Sequence, residues 1–265
     1  MKDRVQLTIE EGVAQVRLNR PDRRNGLDRA MFERLLEVGL ELKEARDVRA
    51  VVLCGEGKAF CAGLDFMSFM AEGPEGQAAL LQRPPGVLAN VAQRVAYVWA
   101  EVPMPVIAAV HGVAFGGGLQ IALAADVRFT TASARFCVME IVYGLIPDMS
   151  ITQTLPRLVR QDVARELVFT GREVLGTEAV EIGLATHLSE HPLADATAMA
   201  RVIAGRSPHA VRAAKRLLVE SADMDAAEAL RFETELQLPL LGSANQLEAV
   251  QAAFSRRAPV FSDPE

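Results

Sequence analysis

Two short runs of small residues in this 265-residue chain could hold a negatively charged oxygen through backbone N–H groups. The first is Ala62-Gly63-Leu64 and the second is Gly116-Gly117-Gly118. Glycine lets another molecule approach the backbone closely, and the first N–H groups of a helix lack intrahelical acceptors. If the two runs converge, they would grip one carbonyl oxygen from both sides. For the three glycines alone, a tight packing turn without a ligand is the alternative.

The run of three glycines does not match a nucleotide-binding loop. Neither a following Gly-Lys-Ser/Thr nor the G-x-G-x-x-G pattern is present. Binding of a mononucleotide or dinucleotide at this turn is therefore disfavoured, and a small oxyanion is the ligand that this backbone suits.

The elements that must position these runs are a buried sheet and its helices. Alternating polar and apolar residues, and continuous apolar runs, predict strands. Asp28 is a predicted N-cap, and the segment after it has the apolar period of a helix. Residues 73–86 are predicted to be a mobile surface segment. Beyond about residue 193 only helices are predicted. We therefore expect an α/β core over residues 1–190 and a helical oligomerisation segment over residues 191–265. The predicted strands are 6–10, 13–18, 50–54, 106–110, 126–131, 135–138 and 185–188.

Composition limits the classes of function. Half of the residues are hydrophobic, which is enough for a sizeable core, and the net charge of −6 argues against a nucleic-acid partner. No apolar run is long enough to span a membrane. The three cysteines are widely spaced, which predicts reduced thiols in a cytoplasmic protein and no metal site.

Four motifs, in this order along the chain, resemble those of the crotonase superfamily of enoyl-CoA hydratases and isomerases. The resemblance covers essentially the whole chain and implies a crotonase-like (ClpP/crotonase) spiral of ββα turns with a helical C-terminal trimerisation segment. It implies a homotrimer or hexamer and an acyl-CoA substrate, with coenzyme A as part of that thioester and no separate cofactor. The motifs lie in the segments Arg20–Leu27, Phe60–Asp65, Ile107–Gly118 and Phe136–Pro147.

The resemblance also implies where the substrate binds. The oxyanion hole would be the backbone N–H groups of Leu64 and Gly117. The backbone of Ala62 would meet the adenine, with Gly63 and Asp65 beside it, and the coenzyme A phosphates or pantetheine would lie near two basic residues, Arg23 and Arg24. Without the resemblance, a solvated charged loop is the simpler interpretation of these two arginines.

The acid–base residues decide the reaction. Hydratases of this superfamily carry one glutamate two residues after the last loop glycine and a second further on; these positions are Gln120 and Glu140 here. An amide hydrogen-bonds but does not exchange a proton as a carboxylate does. Asp148 stands eight residues after Glu140, as in the dienoyl-CoA isomerases of the superfamily, although those carry Asp at the position of Gln120. A helix N-cap is the alternative for Asp148, and a loop salt bridge for Glu140.

Together these residues predict an enzyme that moves a double bond in an unsaturated acyl-CoA. Glu140 is predicted to be the principal acid/base, Asp148 the second carboxylate, and Gln120 a residue that positions substrate or a water. Hydration of a 2-enoyl-CoA is the alternative reaction, and a non-catalytic acyl-CoA binder is the alternative of another class. Cys61, inside the first run, is predicted to be a small buried filler.

Overall fold

The structure, a computed structural model, describes residues 4–264, and its centre is a six-stranded sheet with the strand order β1-β2-β3-β4-β6-β9. Strands β1 and β2 form an antiparallel hairpin, and the remaining pairs are parallel. A second sheet has the order β5-β7-β8. The strands are β1 (Val5–Glu10), β2 (Val13–Leu18), β3 (Ala50–Gly55), β4 (Val106–Val110), β5 (Val113–Phe115), β6 (Val127–Thr130), β7 (Arg135–Cys137), β8 (Val174–Leu175) and β9 (His187–Leu188).

Twelve α-helices of the described residues surround these sheets. Three short 3₁₀ helices lie at Pro21–Arg23, Glu140–Tyr143 and Ser221–Asp223. The α-helices are α1 (Arg29–Glu44), α2 (Phe66–Ala71), α3 (Gly73–Leu81), α4 (Val91–Glu101), α5 (Gly117–Leu123), α6 (Ile151–Leu158), α7 (Gln161–Thr170), α8 (Gly176–Glu181), α9 (Pro192–Ala204), α10 (Pro208–Glu220), α11 (Ala226–Gln237) and α12 (Ala244–Ser255).

The central strands β3 and β4 are covered on both faces, which explains their continuous apolar sequences. One face joins the larger core, to which α1 and α4 contribute Leu35 and Trp99. The other face packs against α9 through Ala196, Ala200 and Ala204. Small side chains at a spacing of four residues let this helix lie close to the sheet. The central sheet is thereby held between two layers of helices.

Most of the predicted elements are confirmed, including the β1–β2 hairpin and the Asp28 cap, whose side chain accepts a hydrogen bond from the Met31 N–H. The prediction of a mobile surface segment at 73–86 is wrong for its first part, because residues 73–81 form α3. Pro74 stands in the first turn of this helix, where its missing N–H costs nothing. Helix α4 begins at Val91, because Asn90 and Gln93 form a capping box.

The helices after residue 190 differ in what they contact. Helix α9 packs on the central sheet, whereas α10, α11 and α12 leave several large apolar side chains exposed. The predicted division into residues 1–190 and 191–265 stays a prediction. Among residues 4–264, no helix combines the length and the apolarity that crossing a membrane requires.

Candidate active site

The two glycine-containing runs converge, as the sequence predicts. Cys61 pairs with Ala114 in a parallel bridge, and the Phe115 N–H donates to the Cys61 carbonyl at 3.0 Å. Gly63 has φ +84°, and a Cβ on it would lie 2.6 Å from the Phe115 carbonyl oxygen. A Cβ on Gly118 would lie 2.6 Å from the Cβ of Cys61. A side chain at either glycine would therefore push the two runs apart.

The N–H groups of Leu64 and Gly117 are free to bind an oxygen. The Leu27 N–H donates to the Gly63 carbonyl, and the Asp65 N–H donates to the Leu27 carbonyl. Because successive backbone groups of an extended segment point in opposite directions, the Leu64 N–H points away from Leu27. Gly117 is the first residue of α5. Among the backbone hydrogen bonds of residues 4–264, neither N–H has an acceptor, which is what the predicted oxyanion hole requires.

Glu140 lies beside the second run, at the start of the 3₁₀ helix Glu140–Tyr143. A Cβ on Gly116, whose φ is +50°, would lie 3.3 Å from Glu140 Oε1, so only glycine allows the carboxylate to come this close. Burial raises the pKa of Glu140, against the hydrogen bonds that its carboxylate accepts. Glu140 Oε2 is buried and has no partner within the described chain. Since none of the ion pairs found there includes Glu140, a loop salt bridge does not explain this residue.

Asp148 approaches the same site from the loop before α6. Burial raises the pKa of Asp148, and its negative charge in turn raises the pKa of Glu140. The capping alternative for Asp148 is wrong. The residue at the N-cap position of α6 is Ser150, with φ +63° and no capping side-chain hydrogen bond. Asp148 is therefore left as a partly buried carboxylate near Glu140.

Gln120 is 1% exposed, and protein groups occupy both ends of its amide. Its Nε2 donates to Glu140 Oε1 at 2.6 Å, and its Oε1 accepts from the Met149 N–H at 2.8 Å. The prediction that Gln120 positions substrate or a water requires its amide to face the substrate pocket. The structure instead connects Gln120 to the Glu140 carboxylate and to the loop that carries Asp148.

The residues predicted to hold coenzyme A fall into two groups. Arg23 and Arg24 are exposed, and the Arg24 carbonyl accepts from the Ala62 N–H at 2.9 Å, so this basic loop borders the first run. Asp65 is different, because it caps α2 through the Ser68 N–H and pairs with Arg20 at 2.7 Å. Burial opposes the ionised form of Asp65, but these hydrogen bonds outweigh it and lower the pKa of the carboxyl.

Two residues of the first motif had no assigned role in the sequence analysis. Asn25 is completely buried, and its Nδ2 donates to the carbonyls of Ala59 and Phe60 at 2.8 and 3.1 Å. Arg20 pairs with both Asp28 and Asp65, which cap α1 and α2. In the sequence, the one sign of a role for Asn25 was its position, as an amide next to a glycine in an otherwise basic loop. Together the two side chains fix the basic loop to the first run.

The rest of the described chain offers little other chemistry near these residues. Among residues 4–264, no group of three His, Cys, Asp or Glu side chains is placed to hold a metal. Cys61 is buried, which raises the pKa of its thiol to about 12, as expected of a filler. A cavity of about 950 Å³ between α4, α6 and α10 is lined by Tyr97, Asp126 and Arg157, and not by Glu140 or Asp148.

The sequence matches the model of a known family over most of its length. Residues 8–264 match the family model described as enoyl-CoA hydratase/isomerase. The chain belongs to the enoyl-CoA hydratase/isomerase family.

Individual members of this family are similar along nearly the whole chain. The Delta(3,5)-Delta(2,4)-dienoyl-CoA isomerase, mitochondrial, of Mus musculus is 34% identical over 261 residues, which cover 96% of this chain and 80% of that protein. The enoyl-CoA hydratase domain-containing protein 2, mitochondrial, of Homo sapiens is 34% identical over 261 residues, 95% of this chain and 86% of that one.

Solved structures of the family confirm the predicted fold. The crystal structure of enoyl-CoA hydratase from Bacillus anthracis matches with a TM-score of 0.90 at 30% identity, and the match covers 97% of this chain and 98% of that one. The crotonase-like α/β fold is thus confirmed, and this member of the enoyl-CoA hydratase/isomerase family is an enzyme of crotonase type.

Proposed function

We propose that this protein isomerises the double bonds of an unsaturated acyl-CoA, converting a 3,5-dienoyl-CoA to a 2,4-dienoyl-CoA. The observation that carries the proposal is the pair of partly buried carboxylates, Glu140 and Asp148, whose pKa values are both raised by burial. A reaction that removes a proton at one place and returns one at another needs two such groups. The mouse relative is named for this conversion.

The first step removes a proton from C2, next to the thioester carbonyl. The electron pair of the broken C2–H bond moves onto the thioester, and the negative charge on its oxygen is stabilised by the N–H groups of Leu64 and Gly117. One such donor contributes about 3–4 kcal/mol to transition-state stabilisation. Glu140 lies against Gly116, next to this hole, so we assign the C2 proton to Glu140.

The second step returns a proton at C6. The charge moves back along the conjugated chain: double bonds form at C2–C3 and C4–C5, the double bonds at C3–C4 and C5–C6 are lost, and C6 takes the proton. We assign this delivery to Asp148, because it enters the site from a different loop and its raised pKa favours the protonated form. Glu140 then holds the proton from C2, and exchange with solvent restores both groups.

Hydration of a 2-enoyl-CoA is the second candidate, because the Bacillus anthracis structure is of an enoyl-CoA hydratase. Gln120 weighs against it, since its amide accepts no proton and is already bonded to Glu140 and Met149. The third candidate is a protein that binds acyl-CoA without converting it. Such a protein would not need two carboxylates whose pKa values are raised.

The test offers the protein 3,5-dienoyl-CoA and 2-enoyl-CoA in parallel. We expect absorbance to rise as the diene becomes conjugated with the thioester, and Glu140→Gln and Asp148→Asn each to lower kcat by about 10²–10⁴-fold. Glu181→Gln and Asp47→Asn, at exposed positions, are the matched controls and should retain activity. Faster turnover of the 2-enoyl-CoA than of the dienoyl-CoA, or full activity in Glu140→Gln, would contradict the proposal.

We further propose that the active form is a homotrimer or hexamer that binds coenzyme A as part of its substrate and needs no separate cofactor. The exposed apolar side chains of α10, α11 and α12 support such an assembly. The basic residues Arg23 and Arg24, exposed beside Ala62, support binding of the coenzyme A phosphates near the first run. The cytoplasmic location stays a prediction, and the mouse and human relatives are described as mitochondrial.

A further inference from the structure

The amide of Gln120 connects three parts of the site that lie far apart in sequence. Helix α5 carries Gln120, the 3₁₀ helix carries Glu140, and the loop before α6 carries Met149. Met149 in turn covers Gly117, since a Cβ on that glycine would lie 2.6 Å from the Met149 sulfur. One buried side chain therefore touches the acid/base and also anchors the residue that packs on the oxyanion hole.

The orientation of the Gln120 amide is fixed by its neighbours. The Met149 N–H is only a donor, so the amide oxygen must face it, and the amide nitrogen must then face the Glu140 carboxylate. The reversed amide would place two donors together at Met149 and two acceptors together at Glu140. Burial makes each such mismatch costly, because water cannot replace the lost hydrogen bond.

This orientation makes the two oxygens of Glu140 unequal. Oε1 accepts from Gln120, whereas Oε2 is buried and has no protein partner within the described residues. When Glu140 is protonated, its proton is therefore held at Oε2. The oxygen that exchanges the proton is thus chosen by a residue that itself exchanges none.

We propose that Gln120 is a positioning residue, which holds Glu140 so that Oε2 alone transfers the proton and which fixes the Asp148 loop relative to it. The effect of Gln120 on turnover rests on the proposed isomerisation. Its effect on the ionisation of Glu140 does not, because the hydrogen bond to the carboxylate exists whichever reaction follows.

The other ionisable groups around Glu140 do not replace this effect. On the packed elements, α5 contributes only Gln120, and the loop before α6 contributes Asp148. Strand β7 contributes Arg135, which is exposed and paired with Glu173, and Cys137, whose thiol is neutral because burial raises its pKa to about 11. Helix α7 packs on the 3₁₀ helix through Gly171, and its charged residues are exposed: Asp162, Arg165 and Glu166. Burial and the charge of Asp148 thus oppose ionised Glu140, whereas its own backbone N–H and the neutral side-chain donor Gln120 favour it.

The experiment compares two substitutions of Gln120. Gln120→Met has a similar shape but loses both hydrogen bonds, whereas Gln120→Glu keeps an acceptor for the Met149 N–H and replaces the donor to Glu140 by a negative charge. The titration of Glu140 is followed directly by NMR with ¹³C-labelled glutamate carboxyls, with Glu140→Gln to assign the signal. Thr154→Val, a buried change on α6 whose hydroxyl donates to the Ile151 carbonyl, is the control.

In Gln120→Met we expect the pKa of Glu140 to rise by about one unit, because the ionised form loses a hydrogen bond. The acidic limb of the pH profile of kcat/KM should move to higher pH by the same amount in Gln120→Met. It should also move to higher pH in Gln120→Glu, because two negatively charged carboxylates then lie side by side. Thr154→Val should leave the pKa of Glu140 and the pH profile of kcat/KM unchanged. An unaltered Glu140 titration in folded Gln120→Met would overturn the inference. A shifted titration in a protein whose wild type does not isomerise dienoyl-CoA would support this inference and overturn the proposed function.

Discussion

Glu140 and Asp148 illustrate, at the level of single residues, how burial that costs stability also prepares proton transfer. Both pKa values are raised by burial, so the folded protein holds these protons more tightly than the unfolded chain does. The resulting stability is present below the ordinary carboxyl pKa and is lost as the pH rises through the raised value. At a pH above these raised values the carboxylates are ionised while buried, and they then destabilise the fold.

Asp148→Asn should make the protein more stable than wild type at neutral pH, because the amide carries no charge to bury. The difference should shrink as the pH falls from the raised pKa of Asp148 to its ordinary value, because below both values this residue is protonated in the folded and in the unfolded chain. Denaturant unfolding at a series of pH values measures this difference in the free energy of unfolding between the variant and the wild type. Asp47→Asn, at an exposed position, should show no such trend, and a pH-independent difference in Asp148→Asn would contradict the assignment.

At the level of elements, one buried cation attaches α10 to the α/β core. Lys215 is 8% exposed, and its Nζ donates to the carbonyls of Trp99 and Met104 and to Asp126 Oδ2, at 3.4, 3.1 and 2.8 Å. Burial lowers the pKa of Lys215, and the charge of Asp126 opposes this effect. The same carboxylate oxygen accepts from the Val106 N–H at the start of β4. The position of α10 thus depends on a contact with the strand that leads to the glycine run.

Lys215→Met should lower the free energy of unfolding by about 1–3 kcal/mol, because the buried carbonyls of Trp99 and Met104 lose their donor, whereas Asp126 stays open to solvent. The neighbouring Arg216→Met removes an exposed pair with Glu220 and should cost at most about 1 kcal/mol. Urea unfolding of both variants and of Lys215→Met/Asp126→Asn gives the coupling between the two sites. If the double variant loses as much as the two single changes combined, the two charges do not act as a pair.

At the level of the whole molecule, the C-terminal helices expose more apolar surface than a monomer needs. Phe254 of α12 is 86% exposed and Leu218 of α10 is 76% exposed, and α11 adds Leu230. Contiguous exposed apolar surface is typical of an interface between subunits. The family resemblance and this surface together favour further copies of this chain as the partner.

Phe254→Glu should therefore reduce the mass of the assembly. Wild type should have a mass corresponding to three or six copies of the 28.7 kDa chain in light-scattering measurements, and Phe254→Glu should shift it toward the single chain, because a charge is costly in a desolvated interface. Ile9→Glu, a partly exposed apolar position on β1, is the control. A wild-type mass equal to one chain would contradict the assembly.

Much of this architecture was predictable, because its causes act within a few residues. The continuous apolar runs of β3 and β4, the Asp28 cap and the Gly63 and Gly116 turns follow from burial on two faces, from unpaired helix N–H groups and from positive φ. The segment 73–81 was misjudged, because its glycines and proline favour a loop, whereas Pro74 is tolerated in a first helical turn.

The sequence by itself determined seven of the nine strands of the described residues, missing the short β5 and β8, together with the two glycine turns and the presence of Glu140 and Asp148. Only the tertiary structure decided what these side chains and Gln120 touch: Gln120 meets Glu140 across 20 residues and Met149 across 29, while Asp65 caps a helix and pairs with Arg20. The physical reason is that a hydrogen bond needs its two atoms within about 3 Å of each other, and the packing of separate elements sets that distance rather than any local pattern.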